Sequence, residues 1–207
     1  MITKNKELHL VSNGNMSLQQ FVHIAEKIHP YVTDIQLREK TSSAIELWEA
    51  LQQLKDLGVP SKKLYVNDRV DIASAAQLKG VQLAFHSLGP ATVKKHFPHL
   101  RIGKSVHSVK EAIDAEEQGA DYLLFGHIFP SSSKPGMPSR GLEALSSVTS
   151  AVAIPVIAIG GIELQYLPDV FKAGAAGVAV MSGILNAKDP LQAAIEYAEG
   201  INGGGKR

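Results

Sequence analysis

A stretch near the middle of the chain contains the residue types best suited to chemistry. Residues 121–141 read DYLLFGHIFPSSSKPGMPSRG, so an apolar segment runs into a lone His127 and then a loop rich in hydroxyl groups. Serine hydroxyls and the Lys134 ammonium can bind an anion through neutral and charge-assisted hydrogen bonds. A histidine can take up and release protons near neutral pH. The pattern predicts an anion site, with Ser131, Ser133 and Lys134 as ligands beside His127, although turn-forming residues alone would also make a plain surface loop.

Two glycine-containing turns follow the last two predicted strands. Gly160-Gly161 forms one turn and Ser182-Gly183 the other. Because glycine has no side chain, the backbone N–H groups of such turns can approach a phosphate closely. In barrels of alternating strands and helices, the loops after strands seven and eight often form a phosphate site. We therefore predict that these four residues bind a phosphate, while the simpler alternative is that the glycines only make tight turns.

Two polar segments follow earlier predicted strands. Arg38 and Lys40 flank Glu39 and could bind a second anionic group, such as a carboxylate or a diphosphate, although three consecutive charges also suit a solvated surface. Asn67 and Asp68 could bind Mg²⁺ or a ring heteroatom, or could cap the next helix, and the sequence favours neither interpretation. The chain contains no HExxH motif, no CxxC motif and no dense carboxylate cluster. An all-protein transition-metal site is therefore not expected.

The elements that must position these residues alternate between strand and helix about eight times. This alternation predicts a (β/α)8 TIM barrel, with a doubly wound open sheet as the alternative. We expect one barrel domain over residues 1–201 and a disordered tail over 202–207. In such a barrel every segment that follows a strand faces the same, functional end. The predicted strands cover residues 8–11, 32–37, 63–67, 81–85, 101–106, 121–125, 155–159 and 177–181. Helices are predicted to start at Ser17, Thr41, Ser108 and Asp189-Pro190, and Gly80 is predicted to end the third helix.

The bulk composition narrows the classes of function. The 207 residues include no cysteine, which excludes disulfides. The formal net charge of +1 gives no electrostatic signature of a nucleic-acid partner. The longest apolar run, residues 151–159, contains Pro155 and is too short to span a bilayer. We therefore expect a cytoplasmic protein with no membrane partner, and the sequence is compatible with a homo-oligomer.

Four motifs occur together along the chain. They are QLREK at 36–40, NDRVD at 67–71, GHIFP at 126–130 with its serine and lysine loop, and PVIAIGGI at 155–162. In this combination and order the chain resembles the thiamine-phosphate synthase superfamily over essentially its whole length. The resemblance implies a TIM barrel that acts on a thiazole phosphate. It also implies that Arg38, Asn67, Asp68 and Lys134 match the diphosphate and metal region of the family.

Two departures from the synthase pattern point to another branch of that superfamily. Residues 84–87 read AFHS where synthases have a Gly-Gln-acidic-Asp stretch with a Mg²⁺ ligand, and His127 replaces a proline. These departures resemble the TenI-type thiazole tautomerases. The resemblance implies aromatisation of 2-carboxy-4-methylthiazol-5(2H)-ylidene ethyl phosphate, a thiazole phosphate tautomer, without a metal or another cofactor. We expect His127 to transfer the proton and Glu39 to share the catalytic role, since an imidazole can act as both acid and base.

Two alternatives remain beside the tautomerase. One is thiamine-phosphate synthase, a Mg-dependent transferase, and the other is a non-catalytic regulatory protein that binds a ligand. A DNA-binding regulator would need a helix-turn-helix or a basic face, and neither is evident once eight strand–helix units are assigned.

Overall fold

The barrel predicted from the alternation is confirmed. A computed structural model describes residues 6–131, 134 and 136–203, and its eight parallel strands close into one barrel in sequence order. Closure occurs between β1 and β8, where His9 aligns with Ala179. Ser133 and the predicted tail from residue 204 onward lie outside the described residues. The strands are β1 (Glu7–Val11), β2 (Asp34–Leu37), β3 (Leu64–Asn67), β4 (Gly80–Leu83), β5 (Arg101–Val106), β6 (Tyr122–Gly126), β7 (Val156–Ile159) and β8 (Gly177–Val180).

Helices follow the strands around the outside of the barrel. Among the described residues, none of them has both the length and the apolar character needed to cross a membrane. They are α1 (Leu18–Ile28), α2 (Ala44–Asp56), α3 (Val70–Ala75), α4 (Pro90–His96), α5 (Val109–Glu117), α6 (Gly141–Ala151), α7 (Leu167–Lys172), α8 (Ser182–Leu185) and α9 (Pro190–Ile201), with 3₁₀ turns at Ser61–Lys63 and Leu164–Tyr166.

Local signals placed most helix ends correctly, with three exceptions. The predicted cap Thr41 is wrong, because α2 begins after Ser43, whose side chain and that of Glu46 form a reciprocal capping box. Gly80 does not end α3, which stops at Ala75, but is the first residue of β4. A glycine is required there because a Cβ would overlap the Arg101 carbonyl on the neighbouring strand. The short helix α8 was not predicted, because Ser182-Gly183 was interpreted only as a turn.

The core has two parts, one outside the strands and one inside the barrel. Apolar side chains between strands and helices form the larger part, and residues such as Tyr65, Tyr122 and Ile157 fill the interior. Gly103 makes room for the Tyr122 ring, which a Cβ at that position would overlap. The single tryptophan, Trp48, lies on α2 and is 36 % exposed. The interior is therefore packed rather than open.

A buried charge network lies at the amino end of the strands. His9 is fully buried, and its Nε2 lies 2.8 Å from Glu7 Oε2 and 3.1 Å from Asp34 Oδ2. Arg101 donates to both carboxylate oxygens of Glu7 at 2.8 and 3.0 Å, and Lys79 Nζ lies 2.6 Å from Asp34 Oδ1. The carboxylates therefore have cationic partners, which offsets the cost of burying them.

Protonation of His9 links this network to pH. Burial alone would lower the pKa of His9, but the hydrogen bonds to Asp34 and Glu7 together outweigh burial and raise the pKa above 6.5. Gln36 faces Nδ1 of His9 at 2.9 Å, and its buried Oε1 has no hydrogen-bond partner among the described residues. Rotating that amide would let Oε1 accept a hydrogen bond from Nδ1–H of protonated His9, so the arrangement accommodates an imidazolium.

We predict that His9 makes the protein less stable as the pH rises above neutrality. A raised pKa in the folded state stabilises the protein fully below pH 6.5, and this stabilisation is lost as the pH passes through the folded-state value. Urea unfolding from about pH 6.5 to about pH 8.5 should show a fall in the unfolding free energy that His9→Gln abolishes. His23→Gln is the control, because that side chain is 67 % exposed and its loss should preserve the fall. Parallel pH profiles for the parent and His9→Gln would contradict this role.

Candidate active site at the carboxyl end of the barrel

The barrel brings the predicted site segments to its carboxyl end, which we call the mouth. Each segment follows a different strand, so residues far apart in sequence meet there. The described site residues are Arg38, Glu39 and Lys40 after β2, Asn67 at the end of β3 with Asp68 beyond it, His127, Ser131 and Lys134 after β6, Gly160 and Gly161 after β7, and Ser182 and Gly183 after β8.

Four positively charged side chains form a cation cluster at the mouth: Arg38, Lys40, Lys134 and Arg140. Burial lowers the pKa of Lys134, and the positive charges of Arg140, Arg38 and Lys40 lower it further. Lys134 is therefore close enough to each of the other three charges to be repelled by them, and a multivalent anion bound there would relieve the repulsion. Arg140 was not predicted as a site residue, although its position in the loop after β6 was a usable signal. Its Nε donates to the Gly126 carbonyl at 3.0 Å.

Asn67 and Asp68 provide oxygen atoms at the end of β3, the strand that pairs with β2, which Arg38 follows. The alternative that Asp68 caps α3 is wrong, because the residue before that helix is Arg69 and no side chain caps it. Asp68 has a φ of 66°, and its Oδ2 lies 3.7 Å from His86 Nε2. Asn67 Oδ1 is buried and has no hydrogen-bond partner among the described residues. Carboxylate and amide oxygens of this kind suit a hard cation such as Mg²⁺, which typically binds one or two protein oxygens together with substrate phosphates.

His127 lies in a closed position rather than an open one. It is 5 % exposed, and its Nε2 lies 3.3 Å from the Met137 carbonyl, which can only accept a hydrogen bond. A Cβ at Gly160 would overlap the His127 side chain, so the end of β6 packs tightly on the turn after β7. No hydrogen bond or ion pair joins His127 to Glu39 within the described residues, although Glu39 Oε1 is buried without a partner there. The predicted catalytic pair is therefore not hydrogen-bonded together, and its catalytic role stays a prediction.

The turns after β7 and β8 have the backbone expected of a close approach. Gly160 and Gly161 have φ values of 98° and 65°, in the left-handed region that glycine tolerates best. At Gly161 a Cβ would also overlap the Pro130 carbonyl. Ser182 and Gly183 form the first half of α8, and β7 pairs directly with β8. The two turns are thus neighbours, and their binding of phosphate remains a prediction.

The fold and the mouth define a class: (β/α)8 barrels with a cationic, glycine-lined mouth. A family model described as thiamine monophosphate synthase (TMP-TENI) matches residues 8–184, and the chain belongs to this family. Thiamine-phosphate synthase of Pyrococcus furiosus is 38 % identical over 198 residues, covering 95 % of each chain. The enzyme of that name from Chlorobium luteolum is 44 % identical over 163 residues, covering 77 % of each. The structure of thiamine phosphate pyrophosphorylase from Pyrococcus furiosus has a TM-score of 0.83 at 32 % identity, covering 97 % of each chain.

These comparisons correct the tautomerase interpretation. Relatives that are 32–44 % identical and cover 77–96 % of this chain bear the name thiamine-phosphate synthase. The tautomerase interpretation depended on two local departures, at residues 84–87 and at His127, whereas similarity over the whole chain favours the synthases.

Proposed function

We propose that the protein is a thiamine-phosphate synthase. In this reaction the ring nitrogen of a thiazole phosphate forms a bond to the methylene carbon of an aminopyrimidine methyl diphosphate. The bond from that carbon to the diphosphate oxygen breaks, its electron pair leaves with diphosphate, and the product thiazolium is thiamine phosphate. The names of the relatives support this assignment, and the observation that carries it is the cation cluster together with Asn67 and Asp68.

The cation cluster is suited to the departure of diphosphate. Negative charge grows on the leaving oxygen as the carbon–oxygen bond breaks, and fixed cations stabilise that charge in the transition state. Arg38, Lys40 and Lys134 would contact the diphosphate, with Arg140 fixed beside them by the Gly126 carbonyl. Ser131 would add a hydroxyl group, as would Ser133, which lies outside the described residues.

The thiazole phosphate would bind at the turns after β7 and β8. Gly160, Gly161, Ser182 and Gly183 would offer backbone N–H groups to its phosphate, and the positive φ values of Gly160 and Gly161 suit such a turn. This division places the two anionic groups on different strands and keeps their charges apart. The reacting carbon and ring nitrogen would meet between them.

A divalent cation fits the remaining donors. Asn67 Oδ1 and the Asp68 carboxylate would hold Mg²⁺, which when bound would supply charge neutralisation for the diphosphate. After β4 the residues AFHS offer no carboxylate, and the Ala84 carbonyl accepts from Lys104 Nζ at 2.7 Å. Among the described residues, the one close group of three potential metal ligands is Glu7, His9 and Asp34 at the amino end, where Lys79 and Arg101 already balance the charge.

The test is to incubate the protein with the pyrimidine diphosphate, the thiazole phosphate and Mg²⁺. We expect thiamine phosphate and diphosphate to form in equal amounts, and a chelator to stop the reaction. Protein inactivated by heat is the control. Product no greater than with inactivated protein would overturn the proposed function.

A further inference from the structure

The proposed coupling requires a group that recognises the pyrimidine ring as well as its diphosphate. The ring has an exocyclic amino group, which donates hydrogen bonds and therefore needs an acceptor. Arg38, Lys40, Lys134 and Arg140 can only donate. A carboxylate acceptor beside them would repel the diphosphate, whereas a neutral acceptor would not.

His107 provides a neutral acceptor at the mouth. It follows β5, and its Nδ1 lies 3.1 Å from the Gly126 carbonyl at the end of β6. A carbonyl only accepts, so Nδ1 has the proton and, in the neutral ring, Nε2 has a free lone pair. Side chains alternate along a strand, and His107 continues the inward series of Gly103 and Ser105, which places it toward the mouth.

Neighbouring groups hold the His107 ring and its backbone in place. The His107 backbone N–H donates to Glu111 Oε2 at 2.8 Å, which fixes the residue to the first turn of α5. Arg140 Nε donates to the same Gly126 carbonyl that His107 uses. The imidazole is thus attached to both α5 and β6 before any ligand arrives, so little freedom is lost on binding.

The charges around His107 favour its neutral form. Burial lowers the pKa of His107, and the positive charges of Lys134 and Arg140 lower it further. The hydrogen bond to the Gly126 carbonyl and the negative charge of Glu111 act in the opposite direction, but the pKa remains lowered. The ring is therefore neutral at neutral pH and can accept. The other two histidines at the mouth have different neighbours: His127 Nε2 lies 3.3 Å from the Met137 carbonyl, and the half-exposed His86 lies 3.7 Å from the Asp68 carboxylate.

We infer that His107 is a further substrate-contacting residue, whose Nε2 accepts a hydrogen bond from the amino group of the pyrimidine diphosphate. The inference rests on the proposed function. Accepting that bond increases electron donation from the amino group into the ring. This stabilises the positive charge that develops on the methylene carbon as diphosphate leaves, so His107 affects turnover as well as binding.

The first test compares two substitutions by their pH profiles. His107→Gln keeps a neutral acceptor, whereas His107→Ala has none. We expect kcat/KM to fall about tenfold or more in His107→Ala and to recover in large part in His107→Gln. The parent should lose activity as the pH falls and His107 becomes protonated, and His107→Gln should lose that acid limb. Equal losses in both variants, or an unchanged acid limb in His107→Gln, would overturn the inference.

A second test separates this inference from the proposed function. Calorimetry measures binding of the pyrimidine diphosphate and of inorganic diphosphate without the thiazole. His107→Ala should weaken the first by about tenfold and leave the second unchanged, since inorganic diphosphate has no amino group. If the parent shows no coupling but this difference persists, the proposed function fails and the His107 contact holds. If His107→Ala weakens neither ligand, or both equally, the contact is absent whatever the coupling assay shows.

Discussion

Arg38→Gln should lower the rate of thiamine phosphate formation by roughly a hundredfold to a thousandfold, the range found when one preorganised charge-stabilising donor is removed. Arg38 contributes to the positive potential that already lowers the pKa of Lys134, so it acts where the diphosphate charge develops. The measurement is the single-turnover rate at saturating substrates, which isolates the bond-breaking step from binding. Inorganic diphosphate should also inhibit the variant less strongly.

Lys62→Gln is the matched control for Arg38→Gln. Lys62 is an exposed lysine in the 3₁₀ turn before β3, at the opposite end of the barrel, so the same change of charge should leave the rate near that of the parent. A rate for Arg38→Gln within about threefold of the parent would mean that the diphosphate does not bind at the cation cluster.

Arg101→Met should destabilise the protein by about 3 kcal/mol, the lower end of the range for removing one partner of a buried ion pair. Arg101 is 23 % exposed and donates two hydrogen bonds to Glu7, so its loss leaves His9 as the one charge partner of the Glu7 carboxylate among the described residues, beside buried Tyr65 and Tyr122. In a chain of this size that loss corresponds to a fall in Tm of roughly 6–12 °C. Thermal and urea unfolding at pH 7 are the measurements.

The exposed pair Arg69–Asp71 provides the comparison for Arg101→Met. Its side chains are 33 % and 65 % exposed, and such pairs contribute little because water screens them. Arg69→Met should therefore change the unfolding free energy by less than about 1 kcal/mol. Equal effects of the two substitutions would show that the charge network at the amino end is not a main source of stability.

The fold could be predicted from the sequence because the local strand and helix patterns agree with the topology of a barrel. The observed bounds of β5, Arg101–Val106, equal the predicted ones, whereas predicted strand four ran too far, to Phe85. Phe85 is 86 % exposed, so its apolar character did not indicate burial. Thr41 failed as a cap because Glu46, which completes the capping box, lies three residues after Ser43 instead.

The candidate site could be predicted only in part, because topology places residues at the mouth but does not give their side-chain partners. Residues directly after strands could be placed at the mouth by topology alone, which covers Arg38 and Lys134. The free Nε2 of His107 depends on a carbonyl 19 residues further along the chain. The network at the amino end joins Glu7 to Arg101, 94 residues apart. Such pairings depend on which side chains the closed barrel brings together, and no local pattern encodes them.

The position of Trp48 determines what ultraviolet fluorescence can report. Trp48 is the single tryptophan, and it lies on the outer helix α2 rather than at the mouth. Its emission will therefore follow the unfolding of the outer helical layer and stay nearly constant when substrates bind. Phe85 lies in the exposed loop after β4, where an added indole would detect ligands. In Phe85→Trp, the fluorescence of Trp48 would report unfolding and that of the added tryptophan would report binding at the mouth.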